Sequence, residues 1–139
     1  MAAYLARPRA AAAAAAAPPS VPGAPRVITP KELLPPGGLS IAEHIGLAST
    51  GERGFSLARI RMEQPHVDPA HVSDFDEVIT VVAGECHIAL ASGAAPLVAR
   101  AGQSLLLPRG FAYTVTTPGP AEYLAICFPA FAPQLKKDA

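Results

Sequence analysis

The chain has 139 residues, with 11 Lys plus Arg balanced by 11 Asp plus Glu, so its formal net charge is zero. A neutral chain has no general field to gather phosphate backbones or an anionic bilayer, so neither nucleic acid nor a membrane is an expected partner. With 16 Pro, 11 Gly and 16% charged residues, the length is one domain's worth and the composition suits many turns between short apolar segments, not long amphipathic helices.

Residues 1–26 form a separate zone. They hold Arg7, Arg9 and Arg26, an unbroken alanine run from Ala10 to Ala17, then Pro18, Pro19 and Pro22, and the first acidic residue of the chain is Glu32. The alanine run is shorter than the roughly 12 residues an isolated helix needs, and the prolines forbid its continuation. Residues 1–26 are therefore read as a disordered tail and residues 27–139 as the folded domain. A basic, acid-free, Ala-rich start also suits an organelle transit peptide, which would place the chain in an organelle; without that role a cytoplasmic location is expected. Nothing in the segment approaches the roughly 18 strongly apolar residues of a membrane span.

From Val27 the pattern is of short strands between turn residues. Residues 29–34, Thr-Pro-Lys-Glu-Leu-Leu, carry an N-cap candidate and a proline at the first helical position, so a short helix is expected there. Strands are expected at 39–45, 54–63, 76–83, 86–91, 96–99, 104–107, 112–117 and 122–128. In 54–63, Ile60 and Met62 share one face while Arg59 and Arg61 point the other way, as in a half-buried antiparallel strand. Residues 78–82 are apolar on both faces. Asp68, Asp74 and Asp76 are read as a solvated acidic loop beside His71. His44 and His87 are read as facing solvent. Cys86 and Cys127, each inside an apolar run, are read as buried reduced thiols. Gly84 is placed in a tight reversal between two apolar strands. Strands of this number and spacing fit a sandwich or a jelly roll.

One stretch is more specific. Glu77, an apolar run and Gly84 follow His71, and further on Gly102, Pro108 and Gly110 recur in a second register. In both order and spacing these residues resemble the two motifs of the cupins, the RmlC-like jelly-roll superfamily. Ser73 stands at the second histidine of the first motif, Tyr113 at the histidine of the second, and Thr117 at its asparagine. The size and the eroded histidines are similar to those of ethanolamine-utilisation-type cupins. The start at Gly54 and the ending Ile126–Pro129 look like ectoine synthase, although Leu105 and Tyr113 stand where that family has a metal-binding tyrosine and histidine.

The resemblance implies an all-β, cupin-type double-stranded β-helix with the tail in front. It also implies a pocket inside the barrel for a small-molecule ligand and, with some cupins, a divalent transition metal such as Fe, Mn, Zn or Ni. The candidate ligands are His71, Glu77 and Tyr113, with Tyr113 or His66 moving protons, and Gln64 and His66 are close enough in sequence to supply a substitute. Two functions compete. One is a metal-dependent lyase, isomerase, cyclase or dioxygenase-like enzyme; the other is a metal-free ligand-binding or sensing module. A barrel that serves chiefly in assembly is a third. Cupins also imply a homodimer, for which residues 123–131 and the first strands are the expected contact. Glu77 is expected inside the barrel, facing His71 and Tyr113.

Overall fold

Residues 23–139 are described by the structure, a computed structural model. The proposed tail lies outside them except for its last residues. In chain order the strands are β1 (Lys31–Leu34), β2 (Leu39–Ile45), β3 (Ser56–Met62), β4 (His66–Ser73), β5 (Asp76–Ala83), β6 (Glu85–Leu90), β7 (Leu97–Arg100), β8 (Ser104–Leu107), β9 (Ala112–Thr117), β10 (Ala121–Phe128) and β11 (Lys136–Asp138). A single 3-10 turn, Pro133–Leu135, precedes β11. One sheet runs β1-β2-β3-β10-β5-β8 and the other β11-β4-β9-β6-β7, with antiparallel pairing throughout. The expected all-β jelly roll is what forms.

Period two explains which residues meet. Ser56, Ile60 and Met62 of β3 are buried while Arg59 and Arg61 are exposed. Buried Ala121, Ala125 and Cys127 set the same phase on β10. The inward residues of both sheets close two clusters. Ile79, Val81, Cys86, Ile88, Leu105, Tyr113 and Val115 belong to the first. Ile60, Met62, Ala121 and Ala125 form the second cluster. Each large apolar side chain so buried contributes roughly 1.5–3 kcal/mol relative to exposure.

Three motif glycines mark the corners of the roll. Gly84 (φ 77°), Gly102 (φ 87°) and Gly110 (φ 85°) each sit where the chain leaves one sheet for the other, between β5 and β6, β7 and β8, and β8 and β9. The expected reversal at Gly84 is thus a corner between sheets and not a hairpin, because β5 and β6 do not pair. A left-handed φ turns the chain sharply at a cost that glycine escapes. Gly84 has a second reason to be glycine, since a Cβ there would collide with Pro120 O and come within 3.0 Å of Ala121 Cα.

Three expectations need correction. Residues 29–34 contain no helix: residues 31–34 are β1, paired with β2 through Lys31–Glu43 and Glu32–Ala42. The pairing with a neighbouring strand outweighs the local capping signal. The stretch before β5, read as an acidic loop, is largely strand β4. Asp68 is not simply solvated, since Lys136 Nζ donates to its Oδ2 at 2.7 Å from β11, a strand that local pattern did not suggest. Finally, Tyr123 lies inside the roll, packed against both clusters, so residues 123–131 are not a continuous outer contact.

Candidate functional site

The pocket depends on an irregularity in β4. Asp68 pairs with Val115 of β9 and His71 with Tyr113, so three steps along β4 match two along β9. This bulge, containing Pro69, shifts the side-chain alternation by one residue. A proline lacks the N–H a ladder requires and is tolerated at such a point. As a result His66 and Asp68 before the bulge and His71 and Ser73 after it all face the interior.

Between the sheets lies a cavity of about 230 Å³. Leu39 and Ile41 of β2, Ala58 and Ile60 of β3, Ala125 of β10 and Phe131 give it an apolar wall. Its polar side chains are Glu43, Ser56, His66, Asp68, Glu77, Tyr123 and Lys136, with the thiol-bearing Cys127 beside them. Of the residues singled out from sequence, His66 and Glu77 are therefore on the wall. His71 and Tyr113, 4% and 2% exposed, stand behind it.

Tyr113 touches both Glu77 and His71. Tyr113 Oη donates to Glu77 Oε2 at 2.9 Å, a bond that ties β9 of one sheet to β5 of the other. The His71 ring meets Tyr113 edge-on, with centroids 4.7 Å apart. Its Nδ1 is 3.0 Å from Pro69 O, within the bulge, and 3.7 Å from Asp68 Oδ2. Burial pushes the Glu77 carboxyl above the usual carboxylate range; the Tyr113 hydrogen bond and, more weakly, Lys136 act against that rise. Burial also raises Tyr113, and the Glu77 charge adds to the effect. The phenol therefore keeps its proton and gives it to Glu77 as a hydrogen bond. Ser73 Oγ sits against the same phenol and opposes that rise, without a hydrogen bond of good geometry.

The remaining candidates are apart from this group. His66 is opposite Thr117, further along β4 and β9 than the His71–Tyr113 pair, and Gln64 is exposed before the strand. His87, between inward Cys86 and Ile88, turns outward and bonds Glu85 at 2.8 Å. Cys86 and Cys127 are free and buried, and burial raises their thiols to about 11 and about 12, so both stay protonated at neutral pH.

Sequence reasoning missed Glu43. It is 3% exposed and on the cavity wall. Its Oε2 accepts from Ser49 N at 2.7 Å. A Cβ at Gly46 would collide with this carboxylate, so glycine lets the turn after β2 close against it. The available signal was phase: Glu43 continues the inward series Leu39, Ile41.

No family model matches the chain. Endoribonuclease YbeY of Myxococcus xanthus is 35% identical over 100 residues, covering 70% of this chain and 33% of that protein. The chain thus spans about a third of the length of the curated relative it matches. Among solved structures, the oxalate decarboxylase of Bacillus subtilis superposes with a TM-score of 0.65 at 13% identity, over 78% of this chain and 30% of that one. That enzyme has Mn(II) centres. A Streptomyces protein, PAC13, solved with uridine, gives a TM-score of 0.65 at 14% identity, over 84% and 92% of the two chains. An RmlC-like cupin from Shewanella frigidimarina gives 0.58 at 19% identity, over 74% and 85%.

A metal of the kind held by the oxalate decarboxylase does not fit the donors present here. Among the described residues no three His, Cys, Asp or Glu side chains gather around one point. Serine replaces one imidazole, and the phenol in place of another is protonated and engaged with Glu77.

Proposed function

This chain has the cupin fold, and we propose that it binds a small molecule in the cavity between its sheets, without a metal, with Glu77 and Tyr113 as the polar anchor. The observation that carries this reading is the Tyr113–Glu77 hydrogen bond at the wall of a largely apolar cavity. A carboxylate held by a neutral phenol is oriented toward the cavity and available to accept from a ligand. The polar group fixes orientation and the aliphatic wall supplies contact area, which is how small-molecule sites are built. The competing reading is a metal-dependent enzyme with His71, Glu77 and Tyr113 as ligands and His66 or Tyr113 moving protons. Elemental analysis separates the two. Protein purified without chelators is expected to hold far less than one equivalent of Fe, Mn, Zn or Ni. A full equivalent, lost on Glu77→Gln with the fold intact, would establish the metal enzyme instead.

The ribonuclease activity named for the Myxococcus xanthus relative is not carried over. The match covers a third of that protein, and a formal net charge of zero gives no general field to gather RNA.

We also propose a homodimer. Leu106, Val78, Ile126, Leu57 and Ile45 stand in successive register across five strands on the outside of the larger sheet. Leu106 is 70% exposed and nearby Phe128 45%. A continuous apolar row of this kind suits a self-complementary contact. Light scattering is expected to give about twice 14.3 kDa, and Leu106→Glu to halve it. A wild-type mass of one chain refutes the dimer.

A further inference from the structure

Glu43 stands out among the polar groups of the cavity. Asp68 has Lys136 and Glu77 has Tyr113. Glu43, although 97% of its surface is covered, has one backbone donor, Ser49 N. No ion pair of the described residues includes it. Lys31, opposite it across β1 and β2, sends its Nζ to Ala48 O instead.

A carboxylate removed from bulk water and left without a counter-charge costs several kcal/mol unless something else compensates it. The turn after β2 is nonetheless built around this one. Thr50 N and Gly51 N both bond Gly46 O, and a Cβ at Gly46 would collide with the carboxylate in its present position. Glu43 also lines the cavity, beside Leu39, Ile41 and Ala58. Its surroundings supply apolar contact, and among the described residues its negative charge enters no ion pair.

We propose that Glu43 is the recognition carboxylate of the pocket and selects a ligand that carries a protonated amine on a small apolar body. The ammonium docks on Glu43 and the apolar body lies along β2, β3 and β10. A desolvated ammonium–carboxylate contact is charge-assisted and stronger than a neutral hydrogen bond. A ligand carboxylate would meet Glu43 as a like charge and be refused. This inference deepens the ligand-binding reading above and rests on it, but it concerns a residue outside the Glu77–Tyr113 anchor.

The test compares n-hexylammonium, 1-hexanol and hexanoate, which share one alkyl body and differ in the head group, by titration calorimetry on the full chain at neutral pH. The ammonium is expected to bind about tenfold or more tightly than the alcohol, the low end of what a hydrogen bond to a charged group contributes. Hexanoate is expected not to bind. Glu43→Gln is expected to remove the preference for the ammonium over the alcohol. Because the wild-type comparison alone decides selectivity, a variant that folds poorly does not rescue the proposal. Equal binding of ammonium and alcohol, or tighter binding of hexanoate, overturns it while leaving the pocket in place. If none of the three binds, both the amine selectivity and the ligand-binding function fall.

Discussion

Gly84→Ala is expected to destabilise the fold by at least about 2 kcal/mol, more than most single substitutions. Two effects add at this position. A side chain at φ 77° is strained, and its Cβ would collide with Pro120 O beside β10. The corner between β5 and β6 cannot relax freely, because β5 is paired on both sides, with β10 and β8. Gly110→Ala is the control. Gly110 has a similar φ of 85° but a Cβ there meets nothing within 4 Å, so only the conformational cost of about 1–2 kcal/mol applies. Urea denaturation of the two variants measures the difference. Equal costs would mean that the close approach of Pro120 to the corner is not a constraint.

Tyr113→Phe is expected to cost about 1–3 kcal/mol by leaving the Glu77 carboxyl without its donor. The substitution changes little volume, so lost packing is a small part. The coupling is what identifies the cause. Glu77→Leu removes the acceptor and places an apolar side chain beside Leu107 and Cys127, its neighbours in register. If the hydrogen bond is the principal effect, Tyr113→Phe with Glu77→Leu costs clearly less than the two single changes added together. Strict additivity in the denaturation midpoints would show that the two groups act independently.

How far the sequence shows this architecture depends on where the information lies. The strands whose inward and outward faces differ, such as β3 with Ile60 and Met62 against Arg59 and Arg61, are visible from alternation alone. The corner glycines are visible because a backbone need leaves a residue type behind. Strand β4 is not, and the reason is physical. Its inner face is polar, with His66 and Asp68 on the pocket wall and His71 and Ser73 behind it in place of the expected apolar residues, while Pro69 at the bulge reads as a strand breaker. Strand β1 is hidden differently: its Thr-Pro start is a sound local helix signal that pairing with β2 overrides. The contact of Asp68 with Lys136 joins residues far apart in sequence, and no local pattern records it. Glu77 and Tyr113 could be placed together because motif spacing stood in for the missing long-range information. Glu43 had no such help.

The bulge in β4 also bears on how such a pocket can change over generations. Because strand side chains alternate with a period of two, loss of one residue between Asp68 and His71 would swing His66 and Asp68 to the outside while His71 and Ser73 kept their places. The cavity would lose an imidazole and a carboxylate in a single event, with the Tyr113–Glu77 bond untouched. Point substitutions at those positions alter one group at a time. In this fold, then, a one-codon deletion or insertion is the genetic step that rewrites the chemistry of the binding wall wholesale, and comparison of gap positions in β4 is a more direct guide to changes of ligand among related chains than comparison of residue identities.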